Sequence, residues 1–539
     1  MEIVIGFIAF IFVLGLIIAV HEFGHFLFAR KAGILCREFA FGMGPILWKK
    51  KKGETVYSLR AFPIGGFCAI AGEELEADPF EKDRRVKLQI ENGVVKGIYL
   101  NADDPAIDYP VHDILNYDLY DKDNTGNLFL ETRSEGGYNH YPVDPQAIIY
   151  DKKLEYQIAP YNRTLGSKTK RARALVMFGG PLMNFLLALL VFFIAGLIIG
   201  FPSEASVVDN LVENDPAYVA GLRSGDEITN LKSGTLEQKV ESWNDIAVFM
   251  DEYTNRALTA PIQVTFVRGG NTETVSVSPS IYFYNIGVKG KFVEDGIEIV
   301  KVYYVDDNMS SNVKLKEGDV ITAVEGKDFA NLSELYKAVR DYRGNYEDDA
   351  LNRLTLSVRR VVDGVSTTVT VKVKPYSKQI METQRDANGR PIEIVDVALG
   401  VYPQYEFHLG KSVLYSLRRT GLSFTAVFDT LRLLFSEESV TIKALSGPVG
   451  IFDMTTKIAS EGFASLLNWM GLLSVNVGLL NLFPIPALDG GRLVFLGYEA
   501  ITKKKPSPKV ETALISITMI LLLGLMIIVT FNDVLRLFK

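Results

Sequence analysis

Among 539 residues only five are His, two are Cys and three are Trp. Two thiols in so long a chain exclude a disulfide framework. Acidic residues outnumber basic ones, 64 to 57, for a formal net charge of -7, and no basic stripe runs through the chain. That balance argues against nucleic acid as a partner. With 48% hydrophobic and 22% charged residues, disorder and a collagen-like chain are excluded as well. Length alone allows roughly three or four domains.

What the sequence does have is apolar residues gathered in runs, with a mean hydropathy of +0.15. Ile3–Val20, Ala174–Phe201 and Thr512–Asn532 carry no charge; Gly462–Ala487 is also uncharged but holds three Asn. Each approaches or exceeds the roughly 20 residues that cross a bilayer. The first run lacks a basic leader and ends in charged residues and two His rather than a small-residue cleavage site, so it reads as a retained helix. Basic clusters follow helix one (Arg30, Lys31, Arg37, Lys49–Lys52), precede helix two (Lys168, Lys170, Arg171, Arg173) and separate helices three and four (Lys503–Lys505, Lys509). Four crossings place all of them on one side, the cytoplasmic one, with residues 202–462 and both termini outside. Cys36 and Cys68 then share the reducing compartment.

Between helices one and two, Cys36–Gly72 reads as a β segment, punctuated by Gly42-Met-Gly-Pro45 and Pro63-Ile-Gly-Gly66, with Val56–Leu59 as a short strand. Residues 80–170 form a polar, Tyr- and Asp-rich β-containing insertion. In it Asp121-Lys-Asp-Asn-Thr-Gly126 mimics the start of a calcium loop, but position 12 is Thr132 and the Glu comes one residue early, at Glu131. A tight polar turn is the favoured reading. Residues 203–376 hold an internal repeat: Gly221-Leu-Arg-Ser-Gly-Asp-Glu-Ile-Thr-Asn230 aligns with Lys314-Leu-Lys-Glu-Gly-Asp-Val-Ile-Thr-Ala323. Each copy continues into a helix-like stretch (Asp245–Tyr253; Leu332–Arg340) and an alternating strand (Ile262–Arg268; Leu354–Arg359). The Gly-Asp-x-Ile core and this order resemble PDZ domains. Lys411–Phe435, with Leu414, Leu417, Gly421, Phe424, Phe428, Leu431 and Phe435 at steps of three and four, reads as a helix lying at the membrane interface or packed on the membrane core rather than as a crossing.

The chemistry concentrates in His21-Glu-Phe-Gly-His25. On a helix, residues i and i+4 share a face, so His21 and His25 can hold one zinc with Glu22 beside it. Ionisable residues at the end of an uncharged helix are costly at membrane depth and mark function; the plain alternative is two interfacial His beside a Glu. A catalytic zinc takes three protein ligands and keeps one position for water. Since His112, His140 and His408 lie outside the apolar runs, the third ligand is expected to be a carboxylate near the bilayer. Asp489 fits, following Pro484 and Pro486, which break the third helix, and preceding Gly490-Gly491, which allow a tight turn. The alternative for Asp489 is a helix N-cap.

HExxH in the first membrane helix with Leu488-Asp-Gly490 in a later, proline-broken one resembles the pattern of the site-2 proteases, intramembrane zinc metalloproteases, in particular the bacterial regulator-of-sigma-E type. Gly180-Pro-Leu-Met-Asn184, Ser446-Gly-Pro-Val-Gly450 and the Gly42–Gly66 segment match it too. The likeness covers nearly the whole chain except residues 80–165. It implies a bacterial plasma-membrane endopeptidase that cuts single-span proteins within or near their helices after an upstream site-1-type protease has acted, with Zn2+ on His21, His25 and Asp489 and Glu22 as catalytic base. Asn184 and Asn481 are buried amides that either bond helix to helix or hold substrate backbone or the oxyanion. Competing readings are a metal-binding transporter and an inactive PDZ scaffold.

The expected architecture is a multi-pass α-helical membrane protein with a membrane-associated β segment and two external PDZ-like α+β domains. Residues 1–30 form helix one and 31–173 the cytoplasmic loop; 174–201 form helix two. Residues 203–288 and 289–376 are the two repeats, 377–440 a linker and amphipathic helix, 441–500 the broken third helix and 512–532 the fourth. Two repeats tethered at both ends suit a filter that excludes bulky substrates more than a site that captures a C-terminus.

Overall fold

The structure, a computed structural model, describes residues 2–72, 79–80, 84–121, 125–134, 137–151, 154–284, 286–303, 314–329, 331–341, 353–362, 364–373, 395–436 and 446–537. They divide into two units, residues 1–195 with 443–539, and residues 196–442.

The first unit opens with helix α1 (Glu2–Lys31), whose last turn carries Arg30 and Lys31. It leads into β1 (Cys36–Lys52) and β2 (Thr55–Ile70), two long strands that fold over as a small sheet. Phe39 pairs with Cys68 on one side and with Tyr57 on the other, and Lys52 meets Thr55 at the hairpin. The order across the sheet is therefore 66–70, 36–41, 55–60, 46–52, and among the described residues the far edge of residues 66–70 has no strand partner. Met43, Ile46, Leu47, Trp48 and Phe62 are apolar yet exposed.

The insertion is a separate six-stranded sheet. Its strands are β3 (Arg85–Glu91), β4 (Val94–Tyr99), β5 (Val111–Asp118), β6 (Phe129–Ser134), β7 (Gly137–Asp151) and β8 (Leu154–Gln157), with β4 and β7 also pairing to close it. Val86, Leu88, Ile98, Ile114, Leu130 and Ile149 fill its core. Asp121 Oδ1 accepts from the amides of Thr125 and Gly126, as a polar turn requires; Lys122–Asn124 lie outside the described residues. Helix α2 (Lys170–Ile199) follows, with Pro181 in its interior.

The second unit carries β9 (Phe201–Pro202), β10 (Val208–Asp209), β11 (Glu227–Ser233), β12 (Leu236–Lys239), helix α3 (Trp243–Asn255), β13 (Ile262–Arg268) and β14 (Asn271–Val277). Next come β15 (Ser280–Phe283), β16 (Val288–Val293), β17 (Gly296–Val302), β18 (Val320–Val324), β19 (Lys327–Asp328), helix α4 (Leu332–Arg340), β20 (Leu354–Val362) and β21 (Val365–Val373). The repeat read from the sequence is visible as matched ion pairs. Asp226, in the first Gly-Asp, is clasped by Arg268, and Asp319, in the second, by Arg360, both at 2.7 Å.

The boundaries need correction. The first repeat does not close at residue 288, and residues 377–440 are more than a linker and a helix. Within that stretch β22 (Val395–Ala398), β23 (Tyr402–Pro403) and β24 (Tyr405–Glu406) pair with β15, β10 and β9 respectively. The second sheet runs β21-β20-β18-β17-β16-β15-β22, and one buried core joins Phe249 and Tyr253 of α3 to Tyr336 of α4 and to Val395 and Val397. Strands of two to four residues whose partners lie over a hundred residues away leave no local signal. Residues 377–394 lie outside the described residues. Helix α5 (Leu409–Ser436) ends the unit, burying Ser412, Ser416, Thr420 and Ser423 while Leu414, Leu417 and Phe428 stay exposed.

The chain then returns to the first unit with α6 (Pro448–Glu461), α7 (Phe463–Asn481), α8 (Asp489–Thr502) and α9 (Pro508–Leu537). The broken third helix is thus three helices, and Asp489 is the first residue of α8 rather than its cap. Ile3–Lys31, Lys170–Ile199, Phe463–Asn481 and Pro508–Leu535 are long and apolar enough to cross a membrane. Asp533 of α9 accepts from the amides of Gly447 and Gly450, tying the Ser446–Gly450 motif to the last helix.

Candidate metal centre

The helical spacing of His21 and His25 puts both imidazoles on one face of α1, with Nε2 atoms 3.2 Å apart. Asp489 Oδ2 lies 3.2 Å from His21 Nε2 and 3.4 Å from His25 Nε2. One ligand atom from each residue falls within 4.8 Å of the others, a spacing that a metal ion fits, and this is the one such trio of His, Cys, Asp or Glu among the described residues. Asp489 Oδ2 is buried and has no hydrogen-bond donor of its own. A buried, unsatisfied carboxylate oxygen facing two imidazole nitrogens is costly without a cation between them.

Each ring is oriented from behind. His25 Nδ1 donates to the Val176 carbonyl of α2 at 2.8 Å, so its Nε2 carries the free lone pair. His21 Nδ1 lies 3.2 Å from Asn184 Nδ2, and the Asn184 Oδ1 atom is buried without a partner. Half a turn of that carboxamide gives Nδ1–H an acceptor and leaves Nε2 for a metal. Asn184 is fully buried, and its own carbonyl accepts from Ser474 of α7 at 2.8 Å. It therefore stands behind His21, whereas Asn481 lines the open side of the site.

Close helix approach makes this possible. A Cβ on Gly180 would sit 2.4 Å from His25 Nε2 and 2.7 Å from His21 Nε2. One on Gly24, inside the HExxH motif, would meet the Gly179 carbonyl at 2.1 Å. Gly490 and Gly491 would strike the carbonyls of Leu482, Phe483 and Ile485, all at 2.3 Å, so only glycine lets the Pro484–Pro486 turn fold onto the start of α8. Arg173 of α2 holds Glu499 of α8 at 2.7 Å, fixing the helix that presents Asp489. His112, His140 and His408 stand elsewhere: His112 and His140 belong to the inserted sheet, and His408 accepts from the Lys411 amide ahead of α5. Gly180 and Asn184 belong to a motif legible in the sequence; Val176, Gly24 and Gly179 gave no signal, because their roles exist only where α1 meets α2.

The centre opens on a cavity of about 710 Å³, lined by His21, Glu22, His25, Asn481, Asp489 and Arg492 and by the edge residues Phe67–Ile70 of β2. Two imidazoles and a carboxylate with a second carboxylate alongside can hold a divalent ion, activate water and move a proton.

Comparison with known proteins follows the same line. Residues 9–525 match peptidase family M50. The zinc metalloprotease RasP of Shouchella clausii is 31% identical over 539 residues, covering 99% of both chains. RasP of Oceanobacillus iheyensis is 29% identical over 98% of this chain and 99% of its own. RasP of Geobacillus kaustophilus is 30% identical over 98% of both. The chain belongs to peptidase family M50, the site-2 proteases, and is a zinc metalloendopeptidase of that family.

Proposed function

We propose that the zinc of this membrane protease is held by His21, His25 and Asp489, and that Glu22 is its catalytic acid–base. The observation that carries the assignment is the convergence of three ligand atoms within 4.8 Å beside Glu22, at the end of an apolar helix. Zinc there supplies a Lewis acid that activates water and polarises the scissile carbonyl. Glu22 takes the proton from the attacking water and delivers it to the leaving amide nitrogen. Asn184 sets the ring of His21, and Asn481, which lines the same cavity, binds substrate backbone in this reading.

The substrates we infer are membrane-spanning segments of single-span proteins, cut in regulated intramembrane proteolysis such as removal of an anti-sigma factor or a signal-peptide remnant. A helical segment hides its carbonyls in its own hydrogen bonds, so cleavage needs an extended strand. The unpaired edge at Phe67–Ile70, which borders the cavity, is suited to strand addition beside the metal. The basic clusters favour a bacterial plasma-membrane topology with the metal centre near the cytoplasmic face and the two repeats outside. The repeats are read as PDZ-like. Strand β10 already pairs with β23, and β17 is flanked by β16 and β18, which favours steric exclusion of bulky, untrimmed substrates over capture of a peptide end. An upstream site-1-type protease would supply the trimmed form. Comparative proteomics of membranes carrying wild type or Glu22→Gln tests the reading: single-span fragments accumulate with the variant, and identical fragment profiles reject it.

A further inference from the structure

The inserted sheet has no part in the chemistry above, yet it reaches the site. Tyr120, which follows β5, and Tyr156 of β8 line the same cavity as the metal trio, together with Arg37 of β1. Each tyrosine packs against the insertion's own core, so the rings are carried by a folded body. That body is fixed to the β segment. Arg37 Nε donates to the Gln157 carbonyl at 2.8 Å, and its guanidinium lies 5.7 Å from the Tyr156 ring. Gln157 donates to Glu54 at 3.0 Å, and Arg163 grips the Glu54 carboxylate through both nitrogens, at 3.0 and 2.8 Å. Tyr120 is held by the Tyr161 amide on its carbonyl, 2.7 Å away.

We propose that the insertion is a substrate-reading wall of the active-site cavity, resting on the protease assignment above. Tyr120 and Tyr156 contact the side chains that flank the scissile bond on the side of the 31–173 loop. Two half-buried aromatic faces select an aromatic or long apolar residue there. Arg37 beside them repels Lys and Arg at the same place and tolerates Asp and Glu. The occupant is an extended polypeptide, since the cavity already borders the free edge at Phe67–Ile70 and both surfaces can touch one chain.

The test uses the full-length zinc-loaded enzyme in proteoliposomes with a single-span substrate whose cut site is mapped by mass spectrometry. Phe, Ala, Lys and Glu are placed in turn at the first four loop-side positions. Wild type is expected to prefer Phe over Ala at one of them by about five- to tenfold in kcat/KM. Tyr156→Ala and Tyr120→Ala reduce that preference to less than about twofold, Tyr156→Phe retains it, and Arg37→Gln relieves the penalty on Lys. Zinc content stays unchanged in all four variants. In parallel, a photo-crosslinking amino acid at position 156 in the Glu22→Gln protein labels the loop-side flank of bound substrate. Retention of the preference in both alanine variants, or label confined to other parts of the substrate, overturns the proposal while leaving the protease reading intact. A wild-type protein that cuts no single-span substrate removes both.

Discussion

Gly180 shows how tightly the proposed metal centre is built, since a single added methyl would occupy the space of both imidazole Nε2 atoms. Gly180→Ala is therefore expected to lower zinc affinity by about tenfold or more while the protein still inserts in the membrane. Asn184→Ala, which removes the partner of His21, should cost about 10–100-fold in zinc affinity, the usual range for groups that orient a ligand. His21→Ala/His25→Ala abolishes zinc binding, and Asp489→Asn, which keeps an oxygen, weakens it less; elemental analysis of purified protein measures all four. Zinc retained at wild-type levels by the double variant contradicts the ligand set. The shared helix face of His21 and His25, with Glu22 beside it, was legible in the sequence because helical periodicity is local. Asp489 was legible because prolines and glycines announce its turn. Val176 and Gly24 were not, since nothing in their neighbourhood says which helix, some 150 residues away, will press against them.

The matched Asp–Arg pairs set the stability of the two repeats differently. Arg360 and Asp319 are both nearly inaccessible, with 9% and 1% of their side chains exposed, whereas Arg268 is 38% exposed. Arg360→Met leaves a buried carboxylate unpaired and costs about 3–5 kcal/mol. Arg268→Met costs less, because solvent reaches the pair. Hydrogen exchange of the full chain should show protection lost first in β18 and β20 with Arg360→Met, and equal losses from the two substitutions would count against the burial argument. The sequence announced the Gly-Asp repeat but hid its outline. Alternation in Leu354–Arg359 is a local property, while the two-residue pairing of Val208 with Pro403 depends on closure of the intervening chain. Substrate elements obey the same physics: replacing helix-breaking residues in a substrate span with Leu should slow cleavage, because an intact helix keeps its carbonyls shielded.

At the scale of the whole molecule, the four apolar helices were evident from composition, and the insertion from its polarity. That the insertion touches the metal cavity was not evident, because Tyr120 and Tyr156 reach it only through the docking of one sheet on another segment. The filter role assigned to the repeats predicts that excising them permits cleavage of an untrimmed substrate without slowing that of a trimmed one. The excision should span residues 203–406, because β22 to β24 belong to the same body. Loss of cleavage of the trimmed substrate, with zinc retained, would indicate capture instead. Glu22 as the acid–base is tested most directly by comparing wild type and Glu22→Gln, each carrying one zinc per chain, on one trimmed single-span substrate in proteoliposomes. Wild type is expected to cleave the substrate and Glu22→Gln, with zinc content unaltered, to leave it intact; cleavage at the wild-type rate by Glu22→Gln rules out Glu22 as the acid–base.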